Sequence, residues 1–187
     1  MPRTFHRGAL LLALALGPWS AAAAWEMAGT KTVFVHTRDG QKQRIGTVSF
    51  TPAAGDRVAF KVALETERFT DYFLSMREFK CLNGGEEVVC HIPYPHRQPG
   101  SIAAQDLTWL EHNLLFFFKQ PSDFGAKLWN GIYFQLEAGP AGLVGKPRAI
   151  DLNMIGAPPA DDLPPYSPAL RDDMPLTQRW IQSLSIE

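Results

Sequence analysis

Three histidines, His91, His96 and His112, are the side chains of this chain best suited to binding a metal ion. His91 and His96 flank a Pro-Tyr-Pro turn, and Glu111 precedes His112. Zinc or copper needs three or four nitrogen, oxygen or sulfur ligands that converge on one point. The spacing of four residues across two prolines matches no known ligand signature. The sequence therefore leaves a metal site open, and favours histidines of the surface or of turns.

The same histidines could work with a nearby carboxylate in an exported hydrolase or metal-dependent enzyme. The carboxylates considered for this role are Asp71, Glu78, Asp106, Glu111 and Asp151. The simpler interpretation, which we favour, is that they are solvated charges and helix caps. The chain has no Gly-x-Ser-x-Gly motif and no phosphate-binding loop, and Ser75 is the only serine in a notable context. We predict no cofactor, and we favour a non-catalytic binding or accessory protein over an enzyme.

Aromatic side chains crowd the middle of the chain, and the simplest interpretation is that they form the core. The alternative is a groove for an apolar ligand or for a protein partner of the cell envelope. Its candidate lining residues are Trp109, Phe116, Phe117, Phe118 and Trp129. Successive residues of a helix are about 100° apart. If residues 116–118 are helical, at least one of these rings must therefore face another element or a ligand.

The two cysteines, Cys81 and Cys90, predict one structural disulfide. An Asn-Gly-Gly turn at residues 83–85 lies between them, so the two flanking segments are expected to pair as an antiparallel hairpin. Pairing the cysteines directly places Leu82 opposite Val89. Opposed positions of such a pair lie close enough for a disulfide.

Residues 1–24 have the organisation of a cleavable secretory signal peptide. Arg3 and Arg7 give a positive start, residues 8–17 are apolar, and small residues follow at 20–24. A ten-residue helix is about 15 Å long, which is roughly half of a bilayer core. We therefore predict cleavage after Ala23 or Ala24 and a periplasmic or secreted protein, with an N-terminal membrane anchor as the alternative.

Cleavage leaves a mildly acidic chain. The signal holds two of the 18 basic residues and none of the 19 acidic ones, so the remaining chain has a net charge of −3. This balance gives no electrostatic reason to bind nucleic acid or anionic lipid. The longest later apolar run, residues 114–118, is too short to cross a membrane, so no stable span is expected after cleavage.

Alternating apolar residues and turn signals predict seven antiparallel strands. They lie at residues 31–37, 44–51, 57–65, a segment ending at 81, 88–92, 129–137 and 143–152. Helical spacing predicts a mid-chain helix at 106–119. It also predicts a C-terminal helix that begins near Asp172 or Asp173, with Leu176, Trp180, Ile181 and Leu184 on its apolar side.

These elements predict an α+β fold, in which a curved sheet or partly open barrel of six to seven strands packs against the two helices. The expected domain organisation is a β-rich globular domain over residues 25–155. A proline-rich extension with the C-terminal helix, residues 156–187, is expected to pack on the same domain.

Overall fold

The computed structural model describes residues 25–74, 77–159, 161 and 163–187. The predicted signal peptide and Ser75 lie outside the described residues. The strands of the described part are β1 Gly29–Thr37, β2 Lys42–Pro52, β3 Arg57–Leu64, β4 Thr70–Leu74, β5 Arg77–Asn83, β6 Val88–Ile92, β7 Ser101–Ala103, β8 Leu115–Lys119, β9 Gly131–Gly139, β10 Gly142–Ile150, β11 Asp172–Asp173 and β12 Ile181–Ile186. Helix α1 spans Thr108–His112, and short 3-10 helices lie at Thr66–Arg68, Leu152–Ile155, Pro168–Leu170 and Leu176–Gln178.

All twelve strands belong to one antiparallel sheet that is not closed. Its order is β4-β5-β6-β8-β9-β10-β12-β1-β2-β3-β7, and β11 pairs with β10 beside this path. The protein is therefore essentially all-β, and the predicted α+β fold of six to seven strands with two helices is wrong. The additional strands, chiefly β7, β8, β11 and β12, lie in segments that the sequence predicts as helices or loops.

The predicted mid-chain helix is correct only over its first part. Helix α1 ends at His112, where the side chain of Asn113 donates a hydrogen bond to the carbonyl of Trp109 at 2.7 Å. The chain then enters β8, whose Leu115, Phe116 and Phe117 are buried. A strand covered on both faces needs apolar residues at every position, so its sequence does not alternate. For this reason the apolar run at residues 114–118 is compatible with a helix face as well as with a buried strand.

The predicted C-terminal helix is a strand, β12, that lies between β10 and β1. Its register shifts once: His36 pairs with Ser183 and Thr37 with Ile181, so Gln182 is the extra residue of a β-bulge. The bulge allows Ile181 and Leu184 to be buried together although they are three residues apart. Apolar residues three positions apart are also typical of one face of a helix, and this explains why the sequence predicts a helix here.

The predicted β5–β6 hairpin is confirmed residue by residue. Cys81 pairs with Cys90, Leu82 with Val89 and Asn83 with Val88. A disulfide joins Cys81 to Cys90, and both are fully buried. The bridge fixes the hairpin that carries the two cavities described below.

Strands β10, β12 and β1, at the middle of the sheet, contribute a large part of the core. Val33 and Val35 of β1 face Ile186 and Leu184 of β12, and Leu143 of β10 also pairs with Ile186. All five side chains are almost completely buried. No helix in the described part of the chain has the length and hydrophobicity that crossing a bilayer requires.

Candidate functional site

An apolar groove of about 320 Å³ lies along one face of the β5–β6 hairpin. Its lining residues are Phe79, Ile92, Pro93, Pro95, His96, Leu128, Leu152, Asn153, Ile155 and Gly156. Strands β5 and β6 supply the first two, and the 3-10 helix at Leu152–Ile155 supplies the opposite wall. We call this site the apolar groove.

The groove rests on the core and opens to solvent. The ring of Phe79 packs edge-on against Phe117, with 5.3 Å between the ring centroids. Two large apolar side chains next to lining residues are exposed: Trp129 at 63% and Met154 at 49%. None of the ten lining residues carries a carboxylate, an ammonium or a guanidinium group. An uncharged apolar surface with exposed apolar flanks is typical of a binding site for an apolar compound.

The five aromatic residues predicted to bind a ligand are scattered in the fold. Phe116 and Phe117 are fully buried, and Trp109 is buried with its ring 5.6 Å from that of Tyr94. The guanidinium of Arg179 lies 3.6 Å above the half-buried ring of Phe118. Trp129 is exposed and follows the groove-lining residue Leu128, and Phe117 packs against the groove residue Phe79.

The three histidines do not gather around a common point. Within the described residues, no three His, Cys, Asp or Glu side chains are grouped closely enough to hold a metal ion. The Nε2 atom of His96 donates to the carbonyl of Ile155 at 2.9 Å, at the wall of the apolar groove. That of His91 donates to the carbonyl of Asn113 at 3.1 Å. Both rings are thus held by backbone acceptors.

His112 lies in a closed aromatic cage. Its Nδ1 donates to the carbonyl of Thr108 at 2.7 Å, and the amide of Tyr166 donates to its Nε2 at 3.3 Å. The ring of Tyr166 stacks on it at 5.5 Å, and Tyr133 lies edge-on at 5.3 Å. Burial lowers the pKa of His112 to about 4, so the ring is neutral at pH 7. Both nitrogens are occupied, which suits a structural role.

Glu111, the neighbour of His112, is also committed to the fold. Its carboxylate accepts hydrogen bonds from the hydroxyl of Tyr133 and, at 2.6 Å, from the amide of Leu136 in β9. The guanidinium of Arg171 lies 3.9 Å away. Burial raises the pKa of Glu111, and the two hydrogen bonds oppose that rise.

The other candidate carboxylates lie at the surface or cap turns. Asp71 forms an ion pair with Lys80, and Glu78 lies 3.4 Å from the same ammonium. Asp106 and Asp151 accept from the backbone amides two residues ahead. In the described part of the chain, no hydrogen bond joins His91, His96 or His112 to a carboxylate. The hydrolase hypothesis thus gains no geometry from these residues.

Hydrogen bonds connect His36, Ser185 and Glu187, a set of residues that the sequence does not predict. The hydroxyl of Ser185 donates to the carboxylate of Glu187 at 2.8 Å. Nε2 of His36 lies 2.9 Å from the hydroxyl oxygen of Ser185. A carboxylate only accepts, so the single hydroxyl proton points to Glu187 and His36 must be the donor to Ser185. His36 is therefore not a base that activates this serine. Pairing between β1 and β12 brings these residues together, and no sequence motif marks it.

Comparison with known proteins adds no relative to this geometry: no family model matches the chain, and no curated protein and no solved structure shows significant similarity to it.

Proposed function

We propose that this protein is an exported, non-catalytic binding protein that holds a small, uncharged and mainly apolar ligand in the apolar groove. The observation that carries the proposal is the lining of the groove, which is apolar over most of its surface and has no charged group. Trp129 and Met154, which neighbour lining residues in the sequence, are exposed. A charged ligand would lose its hydration there without gaining a partner.

The size of the groove favours a small molecule over a protein chain. Small-molecule sites occupy about 300 to 1,000 Å³, and a volume of about 320 Å³ is at the lower end of that range. Each square ångström of apolar surface removed from water contributes about 25 cal/mol, and association entropy cancels part of this gain. We therefore expect micromolar to millimolar affinity.

Two features support the exported compartment. Residues 1–24 have the pattern of a signal peptide, and the disulfide between Cys81 and Cys90 is compatible with an oxidising environment outside the cytoplasm. A groove presented there would meet compounds of the envelope or of the medium.

The proposal is tested with N-phenyl-1-naphthylamine, an uncharged apolar dye that fluoresces when it leaves water. The mature protein should bind it saturably. Leu128→Asp places a carboxylate in the half-buried wall of the groove and should weaken binding by at least about tenfold, because the charge must stay hydrated.

The matched control is Phe124→Asp, which adds the same charge to the same loop at a side chain that is 94% exposed and outside the groove lining. This variant should bind the dye like the wild type. The absence of saturable binding to the wild type, or equal binding by both variants, would overturn the proposal. Thermal unfolding of both variants shows whether Leu128→Asp remains folded.

A further inference from the structure

A second cavity, of about 330 Å³, lies on the other face of the same hairpin. Its lining residues are Val62, Leu64, Phe69, Lys80, His91, Pro93 and Asn113. Lys80 and His91 alternate along their strands with Phe79 and Ile92 of the apolar groove, so they point to the opposite face of the sheet. Because β3 meets β5 and β6 here without pairing to them, we call this site the seam cavity.

His91 lines the seam cavity and keeps one ring nitrogen as a hydrogen-bond acceptor. The carbonyl of Asn113 can only accept, so Nε2 of His91 must carry the proton that is shared with it. Burial lowers the pKa of His91, which keeps the ring neutral near pH 7. In a neutral ring the second nitrogen, Nδ1, is then an acceptor. Among the described residues, the structure shows no donor for this atom.

The charges at the rim argue against an anionic ligand. The ammonium of Lys80 already faces two carboxylates, those of Asp71 and Glu78. These three groups together carry a net charge of −1. The remaining lining is mainly apolar, from Val62, Leu64 and Phe69 among others. A neutral ligand with an apolar body and one hydrogen-bond donor fits this environment best.

We infer that the seam cavity is a second binding site, for a neutral apolar compound that carries a hydroxyl group, and that this hydroxyl donates its hydrogen bond to Nδ1 of His91. The apolar body lies against Val62, Leu64 and Phe69. This site is separate from the apolar groove, and it does not depend on the function proposed for that groove.

The test compares p-cresol with toluene, two probes of similar shape that differ by one hydroxyl. A neutral hydrogen bond that replaces one to water contributes a modest net free energy, so the wild type should bind p-cresol about three- to tenfold more tightly than toluene. His91→Phe keeps an aromatic ring and removes the acceptor. In this variant the preference should fall to about one, with little change in the affinity for toluene.

His96→Phe is the matched control, because it makes the same change in the apolar groove. It should keep the preference for p-cresol. Leu128→Asp should lose the naphthylamine dye and still bind p-cresol, which separates the failure of one site from that of the other. A preference that survives His91→Phe, or p-cresol that does not bind at all, would overturn the inference.

A second measurement covers the case in which His91→Phe does not fold. In the wild type labelled with nitrogen-15, the Nδ1 signal of His91 should move when p-cresol is added and should stay in place with toluene. An unchanged Nδ1 signal at saturating p-cresol contradicts the assigned contact.

Discussion

Burial lowers the pKa of both His91 and His112, but the two rings have very different surroundings. Burial is the main cause of the lowered pKa in both, so both rings are neutral at pH 7. His112 uses both nitrogens within the fold and is enclosed by aromatic rings. His91 uses one nitrogen, and a cavity lies beside its ring. A lowered pKa therefore does not distinguish a structural histidine from a candidate binding one. The number of ring nitrogens that form hydrogen bonds within the fold does distinguish them.

The cage around His112 also connects distant parts of the chain. His112 ends helix α1, and its partner Tyr166 lies in the proline-rich segment that follows β10. Arg171 holds the carbonyl of Tyr166 with two hydrogen bonds, at 3.0 and 2.8 Å, and stacks on the ring of Tyr133. This cage therefore holds the proline-rich segment against the sheet. The hydrogen bond of His91, in contrast, reaches only the residue that follows α1, Asn113.

The largest expected effect is that of His112→Phe on stability. The substitution leaves the amide of Tyr166 buried without a partner, at a cost of about 1 to 3 kcal/mol. It also removes the side-chain hydrogen bond to the carbonyl of Thr108, which keeps its backbone hydrogen bond within helix α1. We expect the free energy of unfolding in urea to fall by about 2 to 4 kcal/mol. His91→Phe, which strands only the carbonyl of Asn113, should cost about 1 kcal/mol. Equal losses in the two variants would remove the distinction between the two sites.

The next effect is a pH dependence carried by His112. Its pKa is lower in the folded protein than in the unfolded chain, so the unfolded chain binds a proton first as the pH falls. Stability from this group should decrease between about pH 6.5 and about pH 4, by up to about 3 kcal/mol in total. The raised pKa of Glu111 acts in the opposite direction as this carboxyl takes up its proton.

Two measurements check this prediction. The ring signals of His112 should titrate in NMR spectra with a midpoint near pH 4. Urea unfolding at pH 7 and at pH 5 should show a smaller difference for His112→Phe than for the wild type. A midpoint near 6.5 would mean that water reaches the cage.

The smallest of the three effects is expected for Glu111→Gln. The carboxylate offers separate oxygens to the hydroxyl of Tyr133 and to the amide of Leu136, whereas an amide side chain has one oxygen. One buried donor is left poorly satisfied, and the free energy of unfolding should fall by about 1 to 3 kcal/mol. Glu86→Gln is the control, because its ion pair with Arg38 is exposed and should contribute less than about 1 kcal/mol. Similar losses in both variants would mean that Glu111 is not a structural anchor of the cage.

The parts of the fold that the sequence predicts well are local. The β5–β6 hairpin combines a turn signal, alternation and two cysteines at matching positions, so its register could be predicted. The strand at β8 has both faces covered and no alternation, and β12 contains a bulge. In both strands the apolar residues therefore resemble those of a helix, and the cause lies in how each strand pairs with its neighbours.

The candidate sites were harder to predict than the hairpin. The apolar groove takes its lining from β5, β6, the loop before β9 and the segment after β10, and no residue type marks these positions as one surface. The residue type of His91 alone marks it as a candidate. The hydrogen bond that fixes the tautomer of His91 is accepted by the carbonyl of Asn113, which lies just after the end of α1.

The position of β12 has a consequence for the order of folding. This strand joins β10 to β1, so without it the sheet divides into two parts. One part contains β4, β5, β6, β8, β9, β10 and β11, and the other contains β1, β2, β3 and β7. Within the sheet, the strand pairing that unites the two parts connects residues 181–186 with residues 33–37 on one side and residues 184–186 with residues 143–145 on the other. Such contacts between distant segments form slowly, because a long loop must close first. The complete sheet therefore cannot assemble before residue 186 has been synthesised.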